Sequence, residues 1–136
     1  MLLDRATKTL LVSMFVLTGG SAAQNGGMQS TLDGIFTEAQ ARRGAIVNEA
    51  VCVECHQNEE FTGAFLDSWT GAPVSMLLEE ITALMPEDMP GSLKPQEYAD
   101  VLAYIFQLNG IPAGQRELAS DPSLLVSILI ERPPQP

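Results

Sequence analysis

Cys52-Val53-Glu54-Cys55-His56 is the stretch from which the rest of this chain is read. It holds both cysteines and the single histidine of a 136-residue sequence, and its C-x-x-C-H spacing is that of c-type haem attachment. The spacing follows from the chemistry: two thiols add across the two vinyl groups of one haem, and the neighbouring imidazole becomes an axial ligand of its iron. Two other chemistries use part of the pattern. A thioredoxin-like dithiol belongs after a strand, at the start of a helix in a βαβ unit, and little of this chain reads as strand. A closed zinc site needs four Cys or His ligands, and the chain offers three.

Upstream of the motif, Thr37-Glu38-Ala39-Gln40 is a capping-box pattern with Phe36 placed to staple against Ala41. A first helix is predicted from here to about Ala50, delivering the motif at its C-terminal end. Gly44 on that helix would let another helix approach closely. Further upstream, residues 24–34 (QNGGMQSTLDG) read as a mobile leader. Residues 1–23 read as a secretory signal: Arg5 and Lys8, the apolar run from Thr9 to Thr18, then Ser21-Ala22-Ala23 as a small-residue cleavage site. An uncleaved N-terminal anchor is the alternative. Export suits the motif, because haem attachment to c-type cytochromes takes place outside the cytoplasm.

Downstream, Phe61, Phe65 and Trp69 stand at four-residue intervals beside the motif. They are candidates to wall a macrocycle, Trp69 first among them, and an aromatic core cluster would give the same pattern. Pro73 opens a second helix with apolar positions at Val74, Leu77, Leu78, Ile81 and Leu84, halted at Met85-Pro86. Glu79 and Glu80 are adjacent on it; neighbours in a helix do not face each other, so they read as a solvated face rather than an acid/base pair. The following loop carries Met85 and Met89 among Pro86, Pro90 and Gly91. Either thioether could close the second face of a haem and raise its reduction potential, while a core methionine would need no haem at all. Pro95 opens the last strong helix, with Tyr98, Val101, Leu102, Ile105 and Leu108 in helical spacing and Asn109-Gly110 as its stop. Asp121-Pro122 starts a short helix, and residues 131–136 read as an extended Pro-rich tail.

The formal net charge is −10. Without residues 1–23, five basic side chains stand against sixteen acidic ones, a net charge of −11. Such a field repels nucleic acid and anionic membranes and favours a partner with a basic patch, although an acidic surface can serve solubility alone. No Gly-rich phosphate loop or basic run with interleaved aromatics points to phosphate or nucleic-acid chemistry.

Taken in order, a helix leading into C-x-x-C-H, a Met-Pro loop 29 residues after the histidine and an amphipathic last helix resemble the monohaem class I cytochromes c. Ala39-Gln40-Ala41 with Arg43-Gly44, Trp69, Met85-Pro86, Pro90-Gly91-Ser92-Leu93, Glu97-Tyr98-Ala99-Asp100-Val101-Leu102-Ala103-Tyr104-Ile105, and Asn109-Gly110 with Pro112-Ala113-Gly114 resemble, more narrowly, the small bacterial cytochromes found with periplasmic quinoprotein (alcohol-type) dehydrogenases. The resemblance implies an all-α, compact class I cytochrome c fold over residues 35–130, with the first and last helices crossing and one covalent haem c. It implies cofactor binding by Cys52, Cys55, His56, Trp69 and Met85, with iron held by His56 and Met85 and with Met89 the alternative distal ligand.

The function so implied is periplasmic electron transfer between a dehydrogenase and an oxidase or second cytochrome, with no substrate chemistry and no stable membrane insertion after signal cleavage. A gas-sensing module with a displaceable methionine, or a haem relay subunit of a dehydrogenase complex, would share the same residues. Three departures from the family stand out. The segment 57–72 has no proline whose carbonyl could accept the proton of His56's second ring nitrogen. Asn48 stands where an aromatic residue is common, and Lys94 where a Ser-like cap is.

Overall fold

Residue 44 sets how closely the two principal helices meet. In the computed structural model, which describes residues 27–134, α1 (Glu38–Val47) and α4 (Pro95–Leu108) form the largest helix–helix interface. A Cβ on Gly44 would overlap the carbonyl oxygen of Asp100, so only glycine allows this approach. Arg43 clamps the same contact. Its Nε donates to Asp100 Oδ2 at 2.8 Å and its Nη2 to Oδ1 at 3.0 Å, while Nη1 reaches Glu117 at 2.9 Å. These bonds, with Asp100 first, hold the guanidinium pKa above its ordinary value.

The described residues contain four α-helices, short 3-10 turns, one π-turn and a minimal parallel pair of two-residue strands. About half of these residues are helical, which is an all-α architecture. Between α1 and α4 come α2 (Ala64–Asp67), a single turn, and α3 (Val74–Leu84). The core gathers Phe36, Leu66, Leu77, Leu78, Leu102 and Phe106, all 1% exposed or less. Phe36 meets Phe106 with ring centroids 6.3 Å apart. α3 and α4 follow the spacing read from the sequence and begin at or one residue after Pro73 and Pro95.

Three expectations differ in detail. α1 ends at Val47 and continues as a π-turn over Asn48–Cys52, so the motif leaves a widened helical end. The capping box at Thr37 is half formed: its hydroxyl accepts the Gln40 N–H at 3.1 Å. The Gln40 amide is instead fully buried and pairs with the backbone of Leu118, donating at 3.0 Å and accepting at 2.6 Å. At Lys94 no side chain caps the helix; only the return half of a capping box is formed, in which the Glu97 carboxylate accepts the Lys94 N–H at 2.8 Å.

The two ends of the described chain also differ from the reading. From Gln29 onward, the stretch read as a leader is built into the fold. β1 (Gln29–Ser30) pairs with β2 (Ile128–Leu129), and Thr31, fully buried, exchanges hydrogen bonds with the Glu131 backbone at 2.6 and 2.9 Å. Of the stretch read as a tail, Arg132 is tied down as well, bonded to Asp67 and to the Gly63 carbonyl. Burying Ile130 beside Ala72, whose carbonyl accepts its N–H at 2.9 Å, draws this segment onto the core. The signal segment 1–23 lies outside the described residues. No helix among the described residues is long and apolar enough to cross a membrane.

Candidate functional site

One cavity of about 680 Å³ opens beside the end of α1, floored by α4 through Tyr98, Val101 and Ile105 and flanked by α3 through Leu77, Ile81 and Leu84. Its volume falls within the roughly 300–1,000 Å³ of small-molecule sites. Cys52, Cys55, His56, Trp69 and Met85, the five residues singled out from the sequence, all line it. Met89 does not; it is 62% exposed on the loop outside.

The cysteine flank is a tight turn. Cys55 N–H donates to the Cys52 carbonyl at 3.1 Å and His56 N–H to the same oxygen at 2.9 Å. Burial pushes the Cys52 thiol pKa up. The motif also follows the C-terminal end of a helix, where the dipole disfavours a thiolate. Both effects oppose the low-pKa nucleophile that a catalytic dithiol requires. Among the described residues, no group of three or more His, Cys, Asp and Glu side chains is placed to hold a metal ion.

His56 points its Nδ1 at the Glu60 carboxylate, 3.2 Å from Oε2. An ionised carboxylate only accepts, so in the neutral ring this contact calls for the proton on Nδ1 and leaves the Nε2 lone pair for a ligand. Glu60 is itself fixed, because its other oxygen accepts the Gln57 N–H at 3.1 Å across the 3-10 turn Asn58–Phe61. The Gln57 bond, with that to His56, holds the Glu60 carboxyl below its usual range. The Phe61 ring lies against the imidazole at 5.4 Å, and Phe65 meets Phe61 edge-on at 6.2 Å.

Two asparagines hold this segment to the helices. Asn109, the C-cap of α4, donates to the Phe61 carbonyl at 2.9 Å and accepts the Gly63 N–H at 3.1 Å. Asn48, 1% exposed, donates to Asn58 at 2.8 Å and keeps an unpaired, buried Oδ1.

The methionine flank is held from the core. The buried Tyr98 hydroxyl donates to the Met85 carbonyl at 2.6 Å and accepts the Leu93 N–H at 3.4 Å, while Gly91 N–H reaches the same carbonyl at 3.3 Å. Around the mouth stand Glu54, Glu60, Glu80, Glu87 and Asp88, all exposed, and no lysine or arginine is among the lining residues.

Glu60, Tyr98, Asn109 and Asn48 went unmarked as site residues in the sequence. Only Glu60 carried a signal there: it stands four residues after His56 and three after Gln57, the spacing of a side chain returning to cap its own turn.

A haem is the group the sequence implies, and the residues fit it. The cavity is mainly apolar, Cys52, Cys55, His56 and Met85 share it, and the His56 tautomer leaves a donor nitrogen uncommitted. Comparison with known proteins returns no matching family model, curated protein or solved structure.

Proposed function

We propose that this chain is an exported electron-transfer protein of the monohaem class I cytochrome c type, working in the periplasm. The observation that carries the reading is the convergence of Cys52, Cys55, His56, Trp69 and Met85 on one apolar cavity. When bound, the haem iron supplies a one-electron ferric/ferrous couple.

The chain's own residues do the rest. Cys52 and Cys55 would hold the haem covalently: their thiols would add across two vinyl double bonds, each sulfur forming a C–S bond while its proton goes to the other vinyl carbon, so nothing would be oxidised or reduced. His56 would hold the iron through Nε2 and Met85 through its thioether, a soft donor that favours the ferrous state. Phe61, Phe65 and Trp69 keep water from the apolar faces, which makes reorganisation on electron transfer small. The carboxylates at the mouth favour a redox partner with a cationic docking face, and complexes of that kind are brief and salt-sensitive. A periplasmic dehydrogenase on one side and an oxidase or second cytochrome on the other are the partners this reading implies.

The test is a visible-spectrum redox titration of protein made in cells competent for haem attachment. A covalent, low-spin haem with a clearly positive midpoint supports the carrier. A chain recovered without covalent haem overturns it.

A further inference from the structure

We propose that Glu60 is the positioning residue for His56, and that its ionised carboxylate, in place of a neutral carbonyl, lowers the reduction potential of the group His56 ligates. This rests on the haem reading above.

The observation is the His56 Nδ1 to Glu60 Oε2 contact of 3.2 Å, made from a side chain whose other oxygen is occupied by the Gln57 N–H at 3.1 Å. The two bonds fix both ends of the carboxylate, so its place beside the imidazole is set by a turn only four residues long, Asn58–Phe61. An anionic acceptor draws the Nδ1 proton more strongly than a neutral carbonyl does and gives the ring imidazolate character. A more basic Nε2 stabilises ferric over ferrous iron, so the couple moves to lower potential. The same bond fixes the plane of the ring, which the Phe61 ring backs at 5.4 Å.

Three substitutions in the haem-loaded protein test this. Glu60→Gln keeps an oxygen for the Gln57 N–H and removes the charge on Nδ1. Its midpoint is expected to rise by about 59 mV or more, a tenfold change in the one-electron equilibrium constant. Glu59→Gln removes an equal charge one residue away, from a side chain that is exposed, and is expected to shift the midpoint by less than a third of that. Glu60→Ala is expected to rise at least as far as Glu60→Gln.

The second readout is the His56 Nδ1 resonance in the diamagnetic ferrous protein. It should lie toward imidazolate values in the parent and move back toward neutral imidazole in Glu60→Gln. Equal shifts from Glu59→Gln and Glu60→Gln, or an unmoved Nδ1 resonance, overturn the role of Glu60 while leaving the haem protein intact. Absence of covalent haem in the parent chain is a different failure, that of the functional reading itself.

Discussion

The two flanks of the cavity are held in opposite ways. His56 is fixed by a partner four residues along the chain, on an exposed turn. Met85 is fixed by the Tyr98 hydroxyl, thirteen residues on, from a side chain 2% exposed in the first turn of α4. A local, solvent-facing device contributes little to global stability, because an exposed hydrogen bond competes with water and forms almost as readily in a short peptide. A device rooted in the core is coupled to packing. The histidine flank can therefore be tuned without cost to the fold, whereas the methionine flank reports on the integrity of α4.

The largest effect that separates the flanks comes from removing attachment altogether. Replacing both Cys52 and Cys55 by serine should abolish covalent pigment, read as loss of haem from denatured protein on a gel; retention of covalent haem would break the comparison at its root. Next is Met85→Ala, which should lower the midpoint sharply and let the ferrous protein bind carbon monoxide promptly. Met89→Ala, outside the cavity and 62% exposed, should do neither. Prompt carbon monoxide binding by the unaltered protein would instead favour the gas-sensing module over the carrier.

The third test compares the flanks directly. Tyr98→Phe leaves the Met85 carbonyl without its best donor and should cost about 1–2 kcal/mol. That is a fall of several degrees in melting temperature for a domain this size, at roughly 4–8 °C per kcal/mol. Glu60→Gln, on the exposed turn, should stay within about 0.5 kcal/mol of the parent. Thermal unfolding by circular dichroism reads both. If the two variants lose equal stability, the division into a local and a core-rooted flank fails.

How much of this was legible in the sequence depends on the range of each interaction. The C-x-x-C-H spacing and the apolar periodicity of Tyr98, Val101, Leu102 and Ile105 are properties of a few adjacent turns, and α4 lies where they place it. Gly44 was legible as a close approach because a missing side chain on a helix has few other uses. Gln40 was misread because the Thr37-x-x-Gln40 spacing matches a capping box, while its actual partner, the Leu118 backbone, lies 78 residues away. No local pattern encodes that pairing. The order at Gln29–Ser30 and Ile128–Leu129 was hidden for a similar reason: strands of two residues carry no alternation to detect. The His56–Glu60 contact was available in principle, but a 3-10 turn of four residues has no hydrophobic period, and Glu60 was one exposed acid among many.

Asp121 supplies the smallest effect and a control for the comparison. Like Glu60 it is an exposed carboxylate held by a local turn, but it lines no part of the cavity. It caps the turn Pro122–Leu124 by accepting the Ser123 N–H at 2.9 Å. Hydrogen bonds from Ser123 lower its pKa below the ordinary 3.8. A carboxylate depressed in the folded state adds stability that is fully present above the unfolded value and is lost as pH falls through the folded one. Asp121→Asn should therefore leave unfolding unchanged in shape near neutral pH and flatten the acid limb slightly between pH about 4 and the folded value. The haem midpoint should not move. A midpoint shift in Asp121→Asn comparable to that in Glu60→Gln would mean that any carboxylate lost from this strongly acidic surface tunes the haem, and that the short path from Glu60 through His56 has no special part in it.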